Sequence, residues 1–154
     1  MTETRESHHI NKRVEYVVCM LFSDDLSEVC LIEKTHPEWQ NGLLNGVGGK
    51  IEPGETIIEA ARREFKEETG VEILDWQPLC LQKAINNSYI VHYLVARNSA
   101  QLFFVRTMTD EQVGSRTVKF VDPNTLVASM SWMLPLAVYA LSGKMDKELI
   151  HVNF

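Results

Sequence analysis

GKIEPGETIIEAARREFKEETGV, residues Gly49 to Val71, is the stretch on which the reading of this chain turns. Thr56-Ile57-Ile58-Glu59 has the form of a capping box, Pro53-Gly54 supplies the turn before it, and Gly70 stands where a left-handed C-terminal cap is wanted. These signals predict a helix over Thr56–Thr69. Within it Glu64, Glu67 and Glu68 stand at i, i+3 and i+4 and share one patch of surface. The placement is unfavourable for the helix alone, because carboxylates near the negative end of the dipole each cost roughly 0.3–1 kcal/mol. Something cationic must offset them. At about 100° per residue, Ile57, Ala60, Ala61, Glu64, Glu67 and Glu68 form one stripe that begins apolar and ends acidic, while Glu59, Arg62 and Lys66 take the opposite side. Clustered hard oxygen ligands suit Mg²⁺ or Mn²⁺, which keep several waters and accept phosphate oxygens. The substrate this implies carries a phosphate chain.

Phosphoanhydride hydrolysis needs charge neutralised on the phosphoryl oxygens and a water activated and positioned, and divalent ions supply both. The three glutamates could hold two or more ions. Gly46, Gly48 and Gly49 let the backbone approach an ion or phosphate where a Cβ would obstruct it, the plainer reading being a tight loop. Arg63 could reach Glu59 or Glu67, a surface pair worth less than about 1 kcal/mol.

Gly49, Glu55 after five residues, Arg63-Glu64 after seven more, apolar Phe65, Glu67-Glu68, Gly70 and apolar Val71 together resemble the Nudix box at every defining position. The resemblance covers about a seventh of the chain and implies an α+β fold, an α/β/α sandwich around a central mixed sheet. It also implies metal-dependent hydrolysis of a nucleoside diphosphate linked to another group. Carried onto this sequence, it adds the Gly48 carbonyl to Glu64, Glu67 and Glu68 as metal ligands, makes Glu67 a candidate base, and casts Glu55 and Arg63 as organisers of the loop and helix. Within the family, Asn45-Gly46-Val47-Gly48-Gly49-Lys50 is similar to a run in MutT-like and oxidised-purine nucleoside triphosphatases, whose Asn faces the purine. Substrate contacts are accordingly expected from Asn45, Gly49, Lys50 and Trp132, and a catalytic carboxylate from Glu111 rather than Asp110. The chain departs from that subgroup where paired aspartates would precede the last helix, having Ser129 and Met130 instead. Trp39 and Trp132 could each stack on a base, although such Trp residues are more often core.

Composition agrees without adding function. The 154 residues amount to one domain, and 45% hydrophobic content is ample for one core. A net charge of −6 excludes a broad nucleic-acid footprint, so an anionic substrate must be met by metal and local basic groups. Cys19, Cys30 and Cys80 lack CxxC spacing and read as reduced core thiols. With no signal-peptide pattern and no long apolar run, a soluble cytoplasmic protein without membrane partners is expected, as monomer or homodimer.

Residues 1–12 read as a disordered tail and 13–154 as one domain. Val14–Phe22 with Val29–Glu33 reads as a buried hairpin across Ser23-Asp24-Asp25, and Leu79–Ala84 with Tyr89–Ala96 as a second across Asn86-Asn87-Ser88. Thr35–Gly49 reads as a loop, Gln101–Arg106 and Arg116–Val121 as strands, Asp122-Pro123-Asn124 as a short helical piece, and Ser131–Leu141 as a closing helix with Pro135 in or near its first turn.

The reading favoured is a MutT-like pyrophosphohydrolase acting on a nucleoside triphosphate. The alternatives are a hydrolase of diadenosine polyphosphates or another nucleoside-diphosphate derivative, for which Tyr89 stands at the family's downstream Tyr position, and a non-catalytic nucleotide-binding regulator. An ADP-ribose hydrolase is disfavoured because no N-terminal swapping segment is seen.

Overall fold

In a computed structural model, residues 13–144 and 150–153 are described, with no side-chain detail for the last four. The segment expected to be disordered, 1–12, lies outside them. The first hairpin forms as expected, with β1 (Val14–Phe22) and β2 (Glu28–Glu33) antiparallel but meeting only at Phe22 and Val29. Beyond that point the strands part. The segment 35–49 is more ordered than a loop: a 3₁₀ turn at Glu38–Gln40 leads to β3 (Leu44–Asn45), which pairs with β2, and β4 (Val47–Lys50), which pairs with β1. Its glycines mask the strand character in sequence, because glycine is depleted in strands. Here they are needed for closeness, since a Cβ on Gly48 would stand 1.8 Å from the Val17 carbonyl oxygen.

Helix α1 runs Ile57–Thr69 with Thr56 as N-cap; Thr56 Oγ1 accepts from the Glu59 amide and the Glu59 carboxylate accepts from the Thr56 amide. Gly70 closes it at φ 74°. Then β5 (Gln77–Lys83) and β6 (Tyr89–Arg97) make the second hairpin, and β6 lies parallel to β1 from Val14–Tyr89 to Phe22–Arg97. Gln101–Arg106 is not a strand: Asn98 caps the short helix α2 (Ser99–Leu102) by accepting from the Gln101 amide, a local bond that wins over extended structure. Strand β7 is Gln112–Thr117, along β2, so the strand expected at Arg116–Val121 lies earlier and gives way to a 3₁₀ turn at Val118–Phe120. Asp122 caps the expected short turn at Pro123–Thr125. Helix α3 (Met130–Leu141) holds Pro135 in its interior rather than its first turn, and β8 (Ile150–Asn153) runs parallel to β5.

The described strands make one mixed sheet in the order β3-β2-β1-β6-β5-β8, with β4 on β1 and β7 on β2. Strand β1 is buried on both faces. Val17, Cys19 and Leu21 pack with Ala60, Ala61 and Phe65 of α1, while Met20 and Phe22 pack with Met130, Met133 and Ala137 of α3. This alternation is the α/β/α sandwich. The three cysteines are free and buried, and burial pushes the Cys30 thiol up to about 12. No described helix is long and apolar enough to cross a membrane.

Candidate active site

Arg63 is the hub of the acidic helix. Its Nε and Nη2 donate to the two oxygens of Glu55 at 2.7 and 2.8 Å, Nη2 also donates to the Lys50 carbonyl at 3.0 Å, and Nη1 donates to Glu64 at 2.8 Å and Glu67 at 3.4 Å. Those bonds tie α1 to β4 and to the turn between them, far more than a surface pair. The bidentate bond to Glu55 pushes the guanidinium pKa well above its usual range against the opposing effect of burial, and Arg63 holds the Glu55 carboxyl below its usual range.

The buried face of α1 is Ala60, Ala61, Phe65 and Thr69, which turns the helix so that its three acids differ in environment. The Glu64 side chain is 14% exposed, whereas Glu67 is 56% exposed. Burial pushes the Glu64 carboxyl up; Arg63 opposes this, and the charges of Glu67 and Glu68 push it further up. Its carboxylate lies against Gly49, where a Cβ would come within 2.5 Å of Glu64 Oε1. Glu68 turns toward the 107–111 loop and accepts from Thr109 Oγ1 at 2.7 Å. Among the described residues no three His, Cys, Asp or Glu side chains converge as a finished ligand cage. The donor set nonetheless suits a hard divalent cation, because Glu55, Glu64 and Glu67 share one guanidinium, Glu68 pairs with no cation among the described residues, and Glu64, less exposed than Glu67, is the one whose charged form burial disfavours.

A cleft of about 690 Å³ lies beside this patch. Glu64, Glu68, Gly48, Gly49 and the exposed Lys50 line one end. Val18, Val91, Gln82, Tyr93 and Ser129, on the α3 side of the sheet, line the other, with Asn45 and Gln40 on its wall. Asn45 is held in one orientation, its Oδ1 accepting from the Gly46 amide at 2.8 Å and its Nδ2 donating to Gln40 at 3.2 Å. Trp39 also lines the cleft and is 67% exposed, so it is no core residue. Glu111 lines it too, but is only 2% exposed and is no solvated loop acid. It accepts from Lys34 Nζ and from the Thr35 amide, each at 2.7 Å. Burial pushes its carboxyl up, but these bonds and the nearby charges of Lys34 and His36 outweigh that and hold it below its usual range.

The structure thus gathers Asn45, Gly48, Gly49, Lys50, Glu64, Glu68 and Glu111 around one cleft, while Glu67 stands at the outer edge of the acidic patch. Trp132 is partly buried on the α3 cluster and is not among the cleft-lining residues. Lys34, Gln82 and Tyr93 escape the sequence reading. For Gln82 a signal existed, a polar residue closing the apolar run Leu79-Cys80-Leu81.

A glycine-bordered cleft thus lies over an acidic helix inside an α/β/α sandwich. The NUDIX domain model matches residues 12–147, and the chain belongs to that family. The mouse protein "8-oxo-dGDP phosphatase NUDT18" is 42% identical over 62 residues, 40% of this chain and 19% of that protein. The human "NAD-capped RNA hydrolase NUDT12" is 30% identical over 130 residues, 75% of this chain and 28% of that protein. The chain therefore spans less than a third of the length of either relative. Among solved structures, a NUDIX hydrolase from Nitrosomonas europaea superposes with a TM-score of 0.69 at 14% identity, covering 92% of this chain and 80% of that one. A MutT studied from Aliivibrio salmonicida and Vibrio cholerae gives 0.67 at 20% identity, covering 84% and 99%. These confirm the fold.

Proposed function

We propose that the protein is a metal-dependent hydrolase of the pyrophosphate bond in a nucleoside diphosphate derivative, acting on a nucleoside triphosphate to release pyrophosphate and a nucleoside monophosphate. The observation that carries this reading is the largely buried Glu64, set against Gly49, sharing one guanidinium with Glu67 and standing beside Glu68 on a cleft of nucleotide size. Glu64, Glu67 and Glu68, with the Gly48 main chain, would hold Mg²⁺ or Mn²⁺, which supplies Lewis acidity and an acidified water when bound. Arg63 and Glu55 keep the helix docked on β4, so that these carboxylates keep their spacing. Lys50 offers an exposed cation to the phosphate chain, and Gly49 lets that chain approach the backbone. Glu67 has the free access needed to take the proton of the attacking water; the water oxygen bonds phosphorus as the bond to the departing pyrophosphate oxygen breaks. Glu111, with both oxygens engaged, fixes Lys34 and the Thr35 backbone at the rim, and its charge contributes to the site through them. Asn45 and Trp39, both lining the cleft, would hydrogen-bond and stack on the base.

A nucleotide panel assayed for pyrophosphate against orthophosphate, with Mg²⁺ and in excess chelator, tests this. Pyrophosphate release that stops in chelator, with a melting temperature raised by the metal, is expected. Tight nucleotide binding with no turnover would mark a regulator instead. A second reading is favoured by Tyr89, which lines the same cleft and is 37% exposed, so that a second base could stack on it. In that case diadenosine polyphosphates would be cleaved faster than any triphosphate.

A further inference from the structure

Residues 106–113, between α2 and β7, are bonded to α1 on one side and to β2 on the other. The Arg106 amide donates to the Thr69 carbonyl at 3.1 Å and the Met108 amide to the Glu68 carbonyl at 3.3 Å, two of the acceptors that the end of a helix leaves without a partner of its own. Thr107 closes the neck of the loop, its Oγ1 accepting from the Val113 amide at 3.0 Å. The Glu111 carboxylate holds Lys34 and the Thr35 amide on the far side. The loop is therefore anchored at both ends by bonds that do not involve Thr109, and these set Thr109 beside Glu68. Its hydroxyl makes two contacts, each with one possible direction. A carboxylate only accepts, so Thr109 Oγ1 donates to Glu68 Oε2 at 2.7 Å; a backbone amide only donates, so the same oxygen accepts from Glu111 at 3.3 Å. Glu64 and Glu67 are held otherwise, by the Arg63 guanidinium, whose charge offsets part of theirs. Glu68 is oriented by a neutral donor and keeps its whole charge.

We propose that Thr109 is a positioning residue for Glu68: by holding one carboxylate oxygen without neutralising it, the hydroxyl presents the other to a divalent ion at the cleft. Glu68 lines the cleft and Thr109 is not among the residues that do, so Thr109 acts through Glu68. A hydrogen bond to a metal ligand from outside the coordination sphere fixes the ligand's orientation, and losing it weakens metal binding or activity by about 10- to 100-fold. The same oxygen also takes the Glu111 amide, so one hydroxyl joins the acidic helix to the loop that grips Lys34. The inference rests on the metal-dependent reading above and adds a residue outside α1 that sets how tightly the ion is held.

The test titrates the full chain, without nucleotide, with Mn²⁺ alone and reads free Mn²⁺ by electron paramagnetic resonance. Thr109→Val keeps the shape and removes the hydroxyl, and should raise the Mn²⁺ Kd by about 10- to 100-fold. Thr109→Ser keeps the hydroxyl and should stay within about threefold of the wild type. Because the loop is anchored elsewhere, the metal-free melting temperature of the valine variant should lie within about 4 °C of the wild type. A double-mutant cycle separates positioning from structure: in a Glu68→Ala background, which removes the acceptor, Thr109→Val should change the Kd by less than about twofold. An unchanged Kd in Thr109→Val, or an equal loss with and without Glu68, overturns the inference. Thr109→Ala replaces the valine variant if that one does not fold, and failure of both to fold would make Thr109 a structural clasp and overturn it as well. A wild type that binds Mn²⁺ but hydrolyses no nucleotide rejects the hydrolase reading alone, since the Kd comparison still decides the role of Thr109. A wild type that binds no Mn²⁺ overturns both.

Discussion

Gly49→Ala separates metal placement from folding. The residue sits in β4 with an ordinary backbone conformation, so alanine brings no φ penalty; what it brings is one methyl group within 2.5–2.7 Å of all three atoms of the Glu64 carboxyl group. Ordinary carbon–oxygen contact lies near 3.4 Å, so the carboxylate must retreat by about 1 Å. It is the far end of a side chain and can do so at small cost, and we expect the metal-free variant to unfold within about 1 kcal/mol of the wild type in urea. Ligand geometry is less forgiving, since Mg²⁺ holds its oxygens at about 2.0–2.1 Å and a 1 Å misplacement at a reacting centre costs on the order of 10²-fold. Turnover should therefore fall about 100-fold, near 2.7 kcal/mol of barrier, and the metal-induced rise in melting temperature should shrink with it. Calorimetry with and without Mg²⁺, beside steady-state kinetics, reads both quantities. Wild-type activity together with a wild-type metal shift would refute the placement of Glu64 at the ion.

Gly48→Ala is the contrasting case: its methyl group would meet the Val17 carbonyl, which belongs to the central strand and cannot retreat, so a loss above about 4 kcal/mol and an unfolded protein by circular dichroism are expected. Glu67→Gln should lower kcat by about 10²–10³ while leaving the metal-free fold as stable or slightly more so, because one unfavourable charge at the helix C-terminus is gone; an unchanged kcat would move the chemistry elsewhere. Glu111→Gln should cost about 2 kcal/mol at pH 7, by leaving Lys34 without its partner at the cleft rim. Because the folded carboxyl lies below its usual range, the wild-type advantage is full above the unfolded value near pH 4.3 and vanishes as pH falls through the lower folded one; urea titrations at pH 7 and pH 3 giving equal differences would contradict it.

What the sequence makes legible is what local chemistry decides. Thr56, Glu59 and Gly70 bound α1 because caps are satisfied within a few residues, and the β-branched runs of the two hairpins become strands buried on both faces of the sheet. Gln101–Arg106 misleads because its apolar residues outweigh, on paper, a single Asn98 cap. The strand nature of Val47–Lys50 is hidden because its glycines answer to the Val17 backbone and the Glu64 carboxylate, contacts made across the fold. The acidic patch was legible as spacing along one helix, but Arg63's hold on Glu55, Lys50 and two further glutamates was not. The far end of the cleft was least legible of all, since Gln82, Tyr93 and Ser129 meet from three separate elements and carry no common motif.

The layout of the cleft has a consequence for how such a protein can change over generations. The acidic end is written in one contiguous stretch, Gly48 to Glu68, in which Arg63 ties Lys50 and Glu55 to Glu64 and Glu67, so a substitution of Arg63 disturbs all four. The opposite end is assembled from single positions on β5, β6 and the start of α3, none of them bonded to Arg63. Substitutions can therefore be sampled at that end one side chain at a time while the acidic helix and the glycine strand beside it stay under separate constraint.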